Sequence, residues 1–215
     1  NFTKKMEVFI YLFFALFSVL NPIGTVPIFV GLTQDDSKKE RSRISLWTSI
    51  DVFIILMISF FIGQYVLTFF GITITALRIT GGIIIASSGF SLLNGRFNKN
   101  KGINKKVEQE IQVRNDIALT PLAMPMLAGP GSMGVAIGIV AQNKGVADSI
   151  GIAIGIALIA LLSLVTLLAA SPINSSLGAS GVMVLQRVFG FITLGIAVAL
   201  IATGISSLFG IPIVG

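Results

Sequence analysis

Long apolar runs separated by short polar stretches repeat along the whole chain and predict six helical spans. Span 1 covers about Val8–Leu32 and span 2 about Ile44–Phe70, joined by the polar connector Gln34–Arg43. The uncharged turn Gly71–Thr75 leads into span 3, about Ile74–Leu93. A long polar segment, Asn94–Asn115, precedes span 4 at about Asp116–Ala141. Span 5 follows at about Val146–Ala170, then a Ser/Gly-rich connector, Ser171–Gly181, and span 6 at about Val182–Leu208. Each run reaches the roughly 18–20 residues that a helix needs to cross a bilayer core of about 30 Å.

Two runs carry residues that an unbroken helix excludes. Span 1 contains Asn21-Pro22-Ile23-Gly24-Thr25-Val26-Pro27 and ends this stretch at Gly31. Span 4 contains Thr120-Pro121-Leu122-Ala123-Met124-Pro125, then Gly129-Pro130-Gly131-Ser132. Aligning Pro27 with Pro125 also places Gly31 on Gly129. Spans 3 and 6 share an Arg-x-x-Gly pattern, Arg78-Ile79-Thr80-Gly81 and Arg187-Val188-Phe189-Gly190. The chain therefore reads as two repeats, residues 1–94 and 116–215, joined by a basic connector over 95–115. Three spans is an odd number, so the second repeat enters the membrane inverted, an architecture common among transporters. The proline pair is offset by 98 residues and the arginine pair by 109, so the second half needs eleven extra residues, assigned to connector 5–6. The predicted fold is an all-α membrane protein of six transmembrane helices in two inverted three-helix repeats, with helices 1 and 4 broken near the membrane midplane.

Composition agrees with the pattern. The 215 residues are 11% charged and have a mean hydropathy of +0.94. There is no cysteine and no histidine, which removes disulfides, thiolate chemistry and the commonest metal ligand. Neither a metal nor another cofactor is expected. The formal charge of +6 sits mainly in two loops, which points to membrane topology rather than nucleic acid. Connectors 1–2 and 3–4 hold ten Lys and Arg, against Lys4, Lys5 and Lys144 on the other side. The positive-inside rule then puts those connectors in the cytoplasm and both termini outside the cell membrane. Trp47 is placed as an interfacial anchor. Lys4 and Lys5 lead into a long span without a small-residue cleavage site, so no cleavable signal is expected. The start at Asn1 instead of Met suggests a few upstream residues.

Proline lacks an N–H and clashes with the carbonyl four residues back. Pro22 and Pro27 release the carbonyls of Ser18 and Ile23; Pro121, Pro125 and Pro130 release those of Ile117, Pro121 and Met126. Such groups cost several kcal/mol against lipid, so they belong in protein or beside a wet cavity. Half-helix ends inside the membrane attract charge: N-terminal ends a carboxylate, C-terminal ends a cation. A zwitterionic amino acid uses both. Asn21, Thr25, Thr120 and Ser132 add side-chain hydrogen bonds, and Gly24, Gly31, Gly129 and Gly131 allow close approach. A single proline would read as an ordinary kink; five in two corresponding stretches favour a binding site. The predicted substrate contacts are Asn21, Pro22, Gly24, Thr25, Pro27, Thr120, Pro121, Pro125, Gly129 and Ser132.

At these residues the chain resembles the MarC family of six-span integral membrane proteins. Asn21-Pro22-Ile23-Gly24 with Pro27, Leu77-Arg78-Ile79-Thr80-Gly81-Gly82, and Pro121 to Ser132 match its hallmark stretches, and the likeness runs over essentially the whole chain. The resemblance implies a transporter of small neutral amino acids such as glycine and alanine, coupled to protons. Asp51 departs from the purely apolar span 2 of that family, so no family role passes to it.

Ionisable residues inside spans are costly and invite functional readings. Arg78 and Arg187 lie near opposite faces, where they either snorkel and cap a broken helix or meet a substrate carboxylate as part of a gate. Asp51 is a candidate carrier of the coupling proton if burial raises its pKa. The alternative for Asp51 is an anion held by the dipole at the start of span 2. Small residues at Gly82/Ala86, Gly134/Gly138 and Gly151/Gly155 suit close helix packing. An intramembrane enzyme is disfavoured, because His-dependent, Cys-dependent and paired-carboxylate catalysis all lack their residues. No phosphate-binding Gly-x-x-x-x-Gly-Lys-Ser/Thr loop is present. A secondary transporter working by alternating access is the preferred reading, and a passive channel or facilitator for small neutral solutes is the alternative.

Overall fold

A computed structural model describes residues 2–94, 117–142 and 146–211. The basic connector expected over 95–115 lies outside the described residues. So does Lys144. The described chain is helical throughout: α1 (Phe2–Leu20), α2 (Pro22–Leu32), α3 (Lys38–Phe69), α4 (Ile74–Leu93), the wide-turned α5 (Ala118–Leu127), α6 (Pro130–Gln142), α7 (Val146–Leu168) and α8 (Ala170–Phe209). Among the described residues, five stretches are long and apolar enough to cross a membrane: Leu12–Leu32, Lys38–Phe69, Ile74–Leu93, Ser149–Leu168 and Ser180–Phe209. The region expected as span 4 is instead two pieces, α5 and the shorter apolar α6.

Two boundaries differ from expectation, each for a local reason. Helix α3 begins at Lys38, not near Ile44, because Ser37 and Glu40 form a capping box. The Ser37 hydroxyl accepts from the Glu40 N–H at 3.3 Å, and the Glu40 carboxylate accepts from the Ser37 N–H at 2.9 Å. Polar residues that read as a loop are thus the first turns of a long helix. The expected connector Ser171–Gly181 is also helical. Its one discontinuity is Gly178, at φ 60° and ψ 176°, a conformation essentially confined to glycine.

The surface of the bundle is greasy. Phe61, Tyr65, Phe69, Phe70 and Phe191 are exposed, as lipid-facing side chains are, and Trp47 is half exposed. The interior contains buried serines and threonines whose hydroxyls bond back to their own helices. Ser45, Ser49 and Ser59 donate to Arg41, Ser45 and Ile55 carbonyls on α3; Ser163 and Thr166 do the same on α7. A small side chain with a satisfied hydroxyl lets these two helices pack closely without leaving a polar group against hydrocarbon. Glycines do the same between α4 and α8. A Cβ at Gly89 would sit 3.1 Å from the Gly190 carbonyl, and one at Gly190 3.0 Å from the Gly89 carbonyl.

Packing runs across the chain, not within its halves. The α1–α2 pair rests on α7 and α8, α3 on α5, α6 and α7, and α4 on α6 and, most extensively, α8. Helices belonging to the same half scarcely touch among the described residues. Residues from both halves therefore share one core, with Leu16, Leu20, Val26 and Phe29 against Leu122, Leu127, Val135 and Ile156.

Candidate functional site

Between α1 and α2 a single residue breaks the helix. Asn21 takes a left-handed conformation, φ 46° and ψ 64°, alone among the described non-glycine residues. Asn tolerates that region better than most side chains because its carboxamide bonds locally. Here Asn21 Oδ1 accepts from the Gly24 N–H at 3.1 Å and so caps the start of α2. Pro22 occupies the first helical position, where a missing N–H costs nothing. A Cβ at Gly24 would run into the Asn21 carboxamide and push it from its place.

Side chains of α8 reach carbonyls on both sides of this break. Ser18, whose usual partner would be the N–H that Pro22 lacks, accepts from the Thr193 hydroxyl at 3.0 Å. The Gly24 carbonyl accepts from Gln186 Nε2 at 3.1 Å. Gln186 and Thr193 are both buried. One group stays unmatched: Asn21 Nδ2 is buried, in a residue only 2% exposed, with no hydrogen-bond partner among the described residues. A buried unsatisfied donor of this kind costs about 1–3 kcal/mol, so Nδ2 calls for an acceptor, a water or a ligand oxygen.

The second break is wider. In α5 the backbone turns extended at Thr120 (φ −128°, ψ 117°) and Met124 (φ −125°, ψ 124°), directly before Pro121 and Pro125. Clash with the proline ring drives the preceding residue out of helical geometry, which accounts for both positions. Pro121 cannot serve the Ile117 carbonyl, and the Leu122 N–H reaches it instead at 3.4 Å, five residues back. The Thr48 hydroxyl on α3 donates to the adjoining Ala118 carbonyl at 3.3 Å. Ala128 N–H bonds the Ala123 carbonyl at 2.8 Å. The Ser132 hydroxyl lies 3.0 and 2.9 Å from the carbonyls of Leu127 and Gly129. Helix α6 then starts at Pro130 as α2 starts at Pro22.

The two breaks are neighbours. A Cβ at Gly131 would lie 3.3 Å from Val19 Cγ1 and 3.1 Å from Ile85 Cγ1. Asn21, Thr25, Gly24, Gly129 and Ser132 are all buried in this region. Their hydrogen-bonding capacity differs from the expectation. Thr25 donates to the Asn21 carbonyl at 3.4 Å, and Ser132 is spent on its own turn. Pro22 and Pro27 lie in α2, the latter inside it. Thr120 is exposed, and Pro121 and Pro125 belong to the α5 backbone.

The charged candidates are scattered. Asp51 is half buried on α3, three residues from Thr48 and hence on the same helical face, near the second break. It lies thirteen residues into a helix that starts at Lys38, about 20 Å along at 1.5 Å per residue. The dipole explanation fails at that distance, because the effect fades within the first turn. Arg187 is exposed and donates to Met183 Sδ at 3.8 Å; its neighbour Gln186, not Arg187 itself, reaches the first break. Arg78 donates to Ser207 Oγ at 3.3 Å. Gln186, Thr193 and Thr48 were missed in the sequence. Only Gln186 carried a signal, as an amide inside an apolar span.

No grouping of three or more His, Cys, Asp and Glu that could hold a metal occurs among the described residues. A family model described as MarC family integral membrane protein matches residues 6–209. A UPF0056 membrane protein of Buchnera aphidicola subsp. Schizaphis graminum is 36% identical over 203 residues, covering 94% of each chain. One from Methanocaldococcus jannaschii is 35% identical over 200 residues, 93% of this chain and 97% of that one. The Escherichia coli relative, UPF0056 membrane protein YhcE, is 32% identical over 202 residues, 94% of each. No solved structure matches the chain.

Proposed function

The chain belongs to the MarC family of integral membrane proteins, and within that family we propose a secondary transporter of small neutral amino acids, such as glycine and alanine. It works by alternating access around the paired breaks, with protons as the coupling ion. The observation that carries this reading is the Asn21 carboxamide, buried at a left-handed break with Nδ2 unpartnered. A spare donor at the N-terminus of α2 suits the carboxylate of a zwitterion, and the Ile23 carbonyl, whose usual donor is the N–H that Pro27 lacks, suits the ammonium.

The architecture assumed is six crossings in two inverted repeats, and topology supports it. Arg41, just past the first crossing, donates to the Ser171 hydroxyl at 3.1 Å, beyond the end of α7. Those residues share a membrane face only if 118–142 also crosses. The helix contacts support the repeat: exchanging α1–α2 with α5–α6, α3 with α7 and α4 with α8 leaves the contact pattern nearly unchanged. Register supports it too. Pairing the helix-opening prolines, Pro22 with Pro130, gives an offset of 108, beside 109 for Arg78 and Arg187. That pairing replaces Pro27 with Pro125 and removes the need for eleven extra residues in connector 5–6. The positive-inside count favours connectors 1–2 and 3–4 in the cytoplasm.

Asp51 is the residue proposed to carry the proton. Uptake of labelled glycine into proteoliposomes, with and without an imposed pH gradient, tests the reading. Accumulation above equilibrium that collapses with a protonophore is expected. Equilibration without accumulation would make the protein a facilitator, and no flux of any neutral amino acid would overturn the substrate class. In the same assay Asp51→Asn should abolish gradient-driven accumulation while leaving exchange intact; unchanged accumulation would clear Asp51 of the role.

A further inference from the structure

Away from the breaks, α4, α6 and α8 enclose a cavity of about 180 Å³, lined by Arg78, Gly81, Gly134, Gly138, Leu200 and Thr203 among others. Its walls are mostly apolar, and Arg78 supplies the charge. Of the guanidinium's five N–H donors, one is engaged, by Ser207 at 3.3 Å, and no carboxylate pairs with it among the described residues. An uncompensated cation inside a span is expensive and calls for an anion. The cavity is also directed. Gly134 lies one turn past the second break on α6 and Gly138 a turn further, while Gly81 leads along α4 to Arg78 and the turn at Gly71. It thus runs from beside the breaks towards the membrane face that carries the turn between α3 and α4.

The space is written into the sequence. Counting from the proline that opens each helix, the fourth and eighth residues are Gly134 and Gly138 on α6 but Val26 and Val30 on α2. On the α2 side Val26 is fully buried and Arg187 is exposed. A Cβ at Gly81 or Gly138 would meet no atom within 4 Å. These glycines therefore keep a volume open without being needed for packing. For scale, an engineered cavity of about 150 Å³ admits benzene.

We propose that this cavity is a carboxylate-binding vestibule, in which Arg78 holds the carboxylate of a solute of about six heavy atoms on its way to the breaks. That the solute is an amino acid rests on the transporter reading; the carboxylate site does not. Because the chain has no cysteine, Gly138→Cys or Gly81→Cys places a sole thiol in the vestibule. In proteoliposomes, a sulfonate-bearing methanethiosulfonate should label either variant severalfold faster than the trimethylammonium reagent. Adding Arg78→Gln should erase the preference, adding Arg78→Lys should keep it, and Val30→Cys should label slowly with both reagents. Glycine or acetate at millimolar concentration should slow labelling. Equal rates for the two reagents with Arg78 present would overturn the proposal. So would reaction with a membrane-soluble maleimide alone, which would make the cavity a lipid-facing groove. Protection by acetate but not by glycine would uphold the vestibule while counting against amino acid transport.

Discussion

The two breaks interrupt the chain by opposite means. The first is one residue wide, and the carbonyls of Ser18 and Gly24 on either side of it accept from side chains of α8, more than 160 positions away. The second spreads over the ten residues of α5 and is satisfied largely by its own neighbours, the Leu122 N–H and the Ser132 hydroxyl, with Thr48 assisting. The first is buried throughout, whereas Thr120, Leu119 and Met124 in the second are exposed. A tight break needs a rigid partner and leaves little freedom; a wide one can rearrange its own hydrogen bonds. Within the proposed transporter, the first break is the one to orient the ligand and the second the one to move.

The largest effect expected from this contrast follows Gly24→Ala. The new methyl displaces the Asn21 carboxamide, and glycine uptake efficiency should fall by about tenfold or more, the equivalent of about 1.4 kcal/mol at the site. Gly195→Ala, which meets open space on the exposed side of α8, should leave the fold and uptake intact and serves as the comparison. Normal uptake by Gly24→Ala would remove Asn21 from the site.

Next comes Thr193→Val, which orphans the Ser18 carbonyl and should cost about 1–3 kcal/mol in unfolding measured in detergent micelles. Thr48→Val removes a longer bond at the more exposed break and should cost about 0.5–1.5 kcal/mol. Equal losses from the two would erase the proposed difference between tight and wide breaks.

A third test isolates the proline. Pro22→Ala restores an N–H to the Ser18 carbonyl, so in that background Thr193→Val should lose most of its cost. A coupling of about 0.5–3 kcal/mol in the double-mutant cycle is expected for such neighbours. Strict additivity would mean that Thr193 does not compensate for Pro22. The smallest effect belongs to Ser37→Ala, remote from both breaks. Loss of that cap should lower stability by about 1 kcal/mol with no change in the KM for uptake.

Much of this was legible before any coordinates. Membrane-length apolar runs, the places where helices fail and the arginines inside spans are local properties, set by side-chain transfer energy and by the missing N–H of proline. Other features depended on pairing. Lys38–Arg43 looked like loop because its residues are polar, yet the Ser37–Glu40 box converts it to helix. Pro27 and Pro125 align by residue type alone, whereas Pro22 and Pro130 share a place at the start of a helix. Gln186 stood in plain view beside Arg187, but its partner is the Gly24 carbonyl, 162 residues earlier. By itself the sequence determined that the chain lies in a membrane and that its helices break at Asn21 and around Pro121–Pro130. Only the tertiary structure decided which carbonyls those breaks leave free, because a hydrogen-bond donor supplied by a distant helix has no trace in local composition.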